Sequence, residues 1–573
     1  MNNNTIILAG VKTLRNSFRI VHREFTGMHQ AAMLLAFAGI LAKILALARD
    51  RLLASTFGAG LSLDIYYAAF RVPDFIYTLS LVLSASTALI PILLEREAVG
   101  HDEAKKFISS ITGWFLIFMV FVGVISYFLM PAATSLITPG FDQENQSEVA
   151  LLSRILLLQA ILLGLSNIAS AIIQSARKFA VYAISPILYN FGIIAGIWWL
   201  YPVWGLTGIT FGVVIGALLH LLMQLPSIIS LGYLPKFSLV LTPAIKRAIL
   251  LSVPRSFGGS LSQSVFMVIT ALASTLGAGG IAIFNLSYNL QNVPLTIIGV
   301  SYSIAAFPFL ANITGSDLKR YLAYFSSALR HIIFWSLPAT ALIIILRAHI
   351  VRIILGTGLF GWEDTRLTAA ALAIFSISLT AQGLIALYAR AFYAAGHTKI
   401  PFLVNLTGSA LTIILSFGFL YLYSSKPAFR LFANSTMRVP DIKNADILML
   451  PLAFSIGSLA NLAMLAYYFR KIWGKLDGGA FAKSISQIAS ASTICGVSAL
   501  MALRLSDQFL KLETFANVAT HGFIAGLVGV GAGIAFLIVT KNAELIEIKN
   551  VLRVRLWPKT PIIAREPSTG TEL

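Results

Sequence analysis

Leu53-Ala54-Ser55-Thr56-Phe57-Gly58-Ala59-Gly60 returns as Leu272-Ala273-Ser274-Thr275-Leu276-Gly277-Ala278-Gly279, with one of the eight letters changed. Outward from this stretch, Val72-Pro73 answers Val293-Pro294 and Pro91 answers Pro308. Pro186 and Asn190 are matched by Pro401 and Asn405, and all these offsets lie between 215 and 221 residues. Small insertions reconcile them, whereas chance does not supply a near-identity in register with so many partners. The repeated unit has room for six helices and starts on the same side each time. That predicts a parallel repeat about an axis near the membrane normal, with a cavity at the seam of the two bundles.

The material between the repeats is built for lipid. The chain has 573 residues, 57% of them hydrophobic and 11% charged, and a mean hydropathy of +0.83. A soluble domain carries roughly 25% charged residues, so an ordinary wet surface is excluded. Apolar blocks of membrane-crossing length, ~20 residues, fall at about 30–50, 62–94, 107–130, 149–172, 181–200, 205–229, 246–275, 280–311, 321–346, 367–392, 401–424, 447–469, 484–506 and 514–540. The expected fold is an all-α polytopic membrane protein of about 14 transmembrane helices. Two six-helix lobes, 30–229 and 246–469, are related by the parallel duplication, and two C-terminal helices occupy 484–540. Pro73, Pro294 and Pro338 are candidate kinks.

Lysine plus arginine number 42 against 23 acids, a net charge of +19. In a soluble protein such an excess suggests nucleic acid; here the cations cluster between apolar blocks, as the positive-inside rule requires. With the N-terminus inside, the cytoplasmic loops collect Arg96, Lys105, Lys106, Arg177, Lys178, Lys236, Lys246 and Arg247. The opposite loops 131–148, 201–204 and 276–280 hold none. Both termini are therefore expected in the cytoplasm, with tails at 1–29 and 541–573. The basic 1–29 segment reads as a retained tail rather than a cleaved signal.

Seven basic residues fall outside this loop pattern: Lys43, Arg49, Arg51, Arg71, Arg154, Arg255 and Arg330. Arg51 and Arg154 lie near helix ends and can snorkel. Ionisable groups deeper in a membrane are costly and face protein or water, so Lys43, Arg49, Arg71 and Arg255 are the candidates for an anionic headgroup. Arginine offers a planar fork to phosphate and lysine a point charge. Asp50, Asp64 and Asp74 are expected to orient those cations. Lys43 and Asp50, and likewise Asp64 and Arg71, are seven residues apart and share a helix face. Asn285, Asn289, Gln291 and Asn292 supply neutral hydrogen-bonding groups, either to the cavity or between helices.

No phosphate-binding GxxxxGK[ST] loop and no HExxH zinc helix occurs, and the histidines read as scattered, mostly in loops. The single Cys495 excludes an intrachain disulfide. No catalytic residue, metal or cofactor is assigned, and the chain reads as a transporter rather than an enzyme.

The run Lys43-Ile44-Leu45-Ala46-Leu47-Ala48-Arg49-Asp50-Arg51, through Phe57-Gly58-Ala59-Gly60 to Asp64, resembles the MurJ/MviN family of bacterial lipid II flippases. So do Ala69-Phe70-Arg71-Val72-Pro73, Thr138-Pro139-Gly140-Phe141, Pro254-Arg255 and Arg390-Ala391-Phe392-Tyr393. The family lies within the multidrug/oligosaccharidyl-lipid/polysaccharide exporter superfamily, and the resemblance covers about residues 30–540. It implies a carrier of undecaprenyl-linked peptidoglycan precursor across the cytoplasmic (inner) membrane, with a cationic cavity between two lobes. The last two helices are then a groove for the lipid tail. Arg49 stands at an essential cavity arginine of the family, Asp64 at a familiar acidic position, and Arg71 at a commonly basic one. Asn289 stands where well-known members carry an essential arginine, and Tyr77-Thr78 replaces a usual basic pair.

The expected partners are this precursor, membrane lipids and the cell-wall synthesis machinery, with no nucleic acid. The coupling ion is not legible; membrane potential supplies ~2.3 kcal/mol per charge per 100 mV. Two rival readings are export of another polyprenyl-linked glycan or amphiphile, and a non-transporting scaffold for an envelope-synthesis complex.

Overall fold

A computed structural model describes residues 28–313, 317–476, 478–509 and 514–556. Of the expected tails, residues 1–27 and 557–573 lie outside the described residues. Every regular element among the described residues is helical. Among the described residues, ten helices are long and apolar enough to cross a membrane, or eleven when the pair Trp362–Ile377 and Leu379–Ala394, bent by 42°, is taken as one span.

One physical fact lowers this number below the fourteen blocks read from the sequence. The run Phe179–Ser230 is 52 residues long and would measure about 78 Å if straight. It instead turns at Gly205, whose φ of 57° and ψ of −142° break the helix. Its halves then pack through small residues, the arrangement that lets membrane helices approach closely. A Cβ at Gly196 would lie 2.8 Å from Gly212 Cα, and one at Gly192 would strike the backbone of Gly216. Two further helices combine charge with a long apolar stretch: Met28–Phe57 carries Lys43, Arg49, Asp50 and Arg51 toward its end, and Pro243–Ser274 carries Lys246, Arg247 and Arg255 ahead of the apolar stretch Gly258–Ser274.

The three prolines named as candidate kinks sit in different helical contexts. Pro73 lies in the first turn of Arg71–Ser84, where a missing N–H costs nothing. Pro338 sits inside the continuous helix Leu318–Ile354. Pro294 precedes a π turn at Thr296–Val300, which absorbs the lost hydrogen bond by widening the helix.

Packing is organised into three main cores. One joins the two halves of the chain: Leu53, Leu63 and Tyr66 from the first repeat meet Ile269, Phe284 and Phe375 from the second. A separate core holds Ile76, Phe107, Phe115 and Ile172 of the first repeat with Ala244 and Ile245. The third holds Phe325, Leu387, Phe392 and Phe469 of the second repeat with Ile488 and Leu537 of the last two long helices. The two halves of the chain thus share one core at the end bearing the Gly-Ala-Gly loops; elsewhere their cores are distinct, except that the start of helix Pro243–Ser274 is built into that of the first half.

Candidate functional site

A cavity of about 340 Å³ opens between the repeats, lined by Arg49, Tyr66, Tyr67, Arg71, Asp74, Tyr189, Asn285, Tyr288 and Asn289 among others. Its two arginines are held differently. Arg49 folds back on its neighbour in sequence, its Nε and terminal nitrogen lying 3.0 and 2.7 Å from Asp50 Oδ1. It also donates to Asn190 Oδ1 at 3.2 Å. Asp50 is in turn joined across the seam by Asn289 Nδ2 at 3.1 Å. Arg71 has neutral partners: it donates to Thr270 Oγ1 at 2.7 Å and to Asn285 Oδ1 at 2.6 Å, and its guanidinium stands over the Phe266 ring. Thr270, Phe266 and Asn285 all belong to the second repeat, so Arg71, itself buried, bridges the seam with two hydrogen bonds.

Near the Gly-Ala-Gly loops the seam is closed by backbone contacts that mirror one another. A Cβ at Gly140 would strike Ser274 O, and one at Gly358 would strike Ser55 O; the two contacts are related by the repeat offset. Gly140 N also donates to Ser274 Oγ at 3.1 Å, and Leu359 N to Ser55 O at 2.9 Å. The loops touch each other as well, since a Cβ at Gly279 would run into Ala59 O. Here φ is +91° at Gly279 and +60° at Gly358, a backbone region that glycine enters without penalty.

Charges reinforce this closure through helix ends. Asp64, fully buried, accepts from Gly279 N at 2.6 Å and Ala282 N at 2.7 Å, so it caps helix Gly280–Leu295 of the other half. Arg51 donates to Ile353 O and Ile354 O at the C-terminus of Leu318–Ile354, and its guanidinium stands over Phe515. Asp364 accepts from Ala59 N at 3.3 Å while capping its own helix through Gly361 N.

The expected site residues are therefore only partly assembled. Arg49, Arg71, Asp74 and Asn289 line one cavity, and Asp50 lies against Arg49. Asp64 does not orient a cation: its carboxylate is used by backbone amides. Lys43 lies half-buried earlier on the Arg49 helix, outside the lining. Asn292 is turned along its own helix, accepting from Thr296 Oγ1. The backbone of Arg255 lies in Pro243–Ser274, but its side chain lies outside the described residues.

Arg51 does not reach for solvent, since the helix end it caps is a nearer acceptor. The histidines are not mainly loop residues either: His220, His331, His349 and His521 lie inside helices. His349 Nε2 lies 2.8 Å from His521 Nδ1. The sequence reading also passed over the aromatic wall. Tyr66, Tyr67, Tyr189 and Tyr288 line the cavity, and the buried Tyr67 hydroxyl has no hydrogen-bond partner. The signal available was Tyr66-Tyr67 beside Asp64, and Asn190, which had been read only as a marker of the repeat.

The fold is shared with solved membrane transporters. An inward-facing multidrug resistance MATE family transporter of the MOP superfamily matches with a TM-score of 0.59 at 13% identity, covering 77% of this chain and 98% of its own. A lipid II flippase MurJ in an inward closed conformation matches with a TM-score of 0.71 at 22% identity, covering 91% of this chain and all of the other. Those likenesses establish the fold. The family model for lipid II flippase MurJ matches residues 53–520, and the chain belongs to that family. Among its relatives, the lipid II flippase MurJ of Burkholderia cenocepacia is 27% identical over 379 residues, covering 63% of this chain and 72% of that protein. The probable lipid II flippase MurJ of Buchnera aphidicola is 28% identical, covering 64% and 73%.

Proposed function

We propose that this chain moves lipid II, the undecaprenyl-diphosphate-linked peptidoglycan precursor, from the inner to the outer leaflet of the bacterial cytoplasmic membrane. The observation that carries the reading is the family match over 53–520, a stretch that includes both copies of the duplication. The reaction is transport without covalent change, so no catalytic residue is assigned.

In this reading the fourteen crossings comprise the ten apolar spans, one more from the hairpin at Gly205, and one from the bent pair 362–394. Met28–Phe57 and Pro243–Ser274 complete them, and of their charges Arg49 and Asp50 lie at the seam. Residues 30–229 and 246–469 form two lobes that rock about it. The distribution of basic loops favours termini in the cytoplasm and Gly-Ala-Gly loops outside; in that orientation the seam is closed on the outer side. A cavity of about 340 Å³ is near the lower limit for drug-sized ligands. A sugar-peptide headgroup therefore enters only after the lobes part on the inner side.

Arg49 and Arg71, with Lys43 and Arg255, are the proposed diphosphate contacts. Phosphate oxygens would replace Thr270 and Asn285 as acceptors for Arg71, exchanging neutral hydrogen bonds for charge-assisted ones. That exchange removes two bonds across the seam as the substrate binds. Binding energy is thereby coupled to lobe movement, which any ligand-driven shift requires. The prenyl tail stays in lipid beside Gly478–Ser506 and Phe515–Val539. Membrane potential is a candidate energy source, and the cell-wall synthesis machinery a candidate partner.

The test is complementation of a flippase-depleted bacterium, read as lipid II exposed on the outer leaflet. Exposure restored to the level of the resident flippase is expected; none at matched membrane abundance would remove lipid II as the cargo. One observation favours a second reading, a different polyprenyl-linked glycan. Asn289 gives Asp50 a neutral partner where the resemblance calls for arginine, which lowers the positive charge of the cavity.

A further inference from the structure

The segment after helix Lys399–Ser425 forms an 11-residue helix, Pro427–Met437, none of whose residues is buried. It is too short to cross a bilayer, yet it is firmly held. Phe429 stacks on Phe419 with their planes 6° apart, and Tyr423 donates to Asn434 Oδ1 at 2.9 Å. At its far end Arg438 O accepts from Arg366 at 2.8 Å, and the same guanidinium grips Asp441 with two bonds of 2.6 Å.

The inward face of this helix is Phe429, Ala433 and Met437, at steps of four residues, and it packs against the core. On nearly the opposite face Ala428, Leu431, Phe432 and Ser435, spaced i, i+3, i+4 and i+7, are all exposed. Leu431 is 66% exposed and Phe432 68%. A helix with one docked apolar face ordinarily turns polar groups outward; this one presents a second apolar stripe. It begins two residues beyond the end of a span whose flank shows Phe417 and Tyr421, which sets it at a water–lipid boundary. Its charge is of one sign: Lys426, Arg430 and Arg438 are exposed, and no acid occurs from 426 to 440.

We propose that Pro427–Met437 is a monotopic anchor that lies in the headgroup plane of the bilayer, Leu431 and Phe432 inserted and its three cations on anionic phospholipid phosphates. Amphipathic helices bind membranes by this combination of buried apolar area and attraction to anionic lipid. Because the helix is bolted through Arg366 to the second repeat, it ties that half to one leaflet. This is independent of which lipid-linked molecule is carried.

The experiment uses the full-length protein in liposomes, spin-labelled at Phe432→Cys and, separately, at Ala428→Cys; the native Cys495 is buried. Accessibility of each label to oxygen and to a water-soluble nickel chelate is measured. In vesicles of phosphatidylethanolamine and phosphatidylglycerol, both labels are expected to meet oxygen and exclude nickel. Phosphatidylcholine vesicles, or the Lys426→Gln/Arg430→Gln/Arg438→Gln variant, are expected to raise nickel access at least threefold. High nickel access in the anionic vesicles overturns the anchor, and exclusion of both reagents reveals a protein-covered surface instead. Immersion indifferent to lipid charge and to the triple substitution overturns the headgroup recognition.

Discussion

Asp64 ends a helix that belongs to the other half of the chain: its carboxylate takes the amide of Ala282 at 2.7 Å and that of Gly279 at 2.6 Å. Replacing it by asparagine leaves one acceptor oxygen and faces a donor toward a donor. The cap and its charge on the helix dipole are worth about 1–2 kcal/mol. Asp64→Asn is expected to loosen the seam at the Gly-Ala-Gly end. The measurement is labelling of Ala278→Cys by a membrane-impermeant maleimide, which should be severalfold faster in the Asp64→Asn background.

Glycine substitutions should split by location. Gly358→Ala puts a methyl against Ser55 at a φ of +60°, adding about 1–2 kcal/mol of left-handed strain to about 1–3 kcal/mol of overpacking. Gly140→Ala meets Ser274 in the same way but without the strain. Gly123, in the middle of His101–Ile137 with open space around it, should gain up to about 1 kcal/mol as alanine. Thermal unfolding in detergent is expected to order them Gly123→Ala, wild type, Gly140→Ala, Gly358→Ala, from most to least stable.

Arg71→Lys keeps the charge of the cavity but loses the fork that reaches Thr270 and Asn285 together. Transport at equal membrane abundance should fall about tenfold, and further in Arg71→Ala, with thermal stability lowered by about 1–3 kcal/mol for the unsatisfied partners. Arg49→Ala should reduce transport while also leaving Asp50 buried beside Asn289 alone. Undiminished flux in all three variants would remove these arginines from substrate handling.

Arg330 meets the buried Glu544 of the C-terminal helix Ala543–Leu556 at 2.6 Å. Burial pushes this carboxyl up, but hydrogen bonds from Ser484, its own backbone amide and Arg330 outweigh it and hold it below its ordinary value. A depressed carboxyl contributes stability in full above the ordinary glutamate value of 4.5; that contribution is lost as the pH falls through the lower folded value. Arg330→Ala strands the carboxylate and should cost about 3 kcal/mol, and Glu544→Gln in the same chain should restore part of it. Limited proteolysis of the C-terminal helix, followed from pH 7 to pH 3.5, checks both the variants and the acid release.

Much of the plan was legible because it is written twice. Leu53–Gly60 and Leu272–Gly279 recur since both copies meet the same demand, a close backbone approach that only small residues allow. The cavity arginines were legible because charge in an apolar run has few structural excuses. Asp64 was misjudged for a reason intrinsic to sequence: its partners are amides at a helix terminus some 215 residues away, and amides leave no letter. Arg51 was misread likewise, its acceptors being backbone carbonyls. The tyrosines escaped notice because an aromatic in a membrane helix reads equally as lipid contact, packing or cavity wall.

The three cores have a consequence for the order of events. At one end the halves share a single hydrophobic body, so parting them there exposes apolar surface that must find new neighbours. At the other end the cores are distinct, and parting the halves there frees only the start of helix Pro243–Ser274, whose Ala244, Ile245 and Ala248 enter the core of the first half. In the proposed orientation the molecule is in effect a clothes-peg with its spring on the outer side: the gap toward the cytoplasm exposes less apolar surface on opening than the gap toward the outside. Loading is then the easy stroke, and whatever drives the cycle must act on delivery.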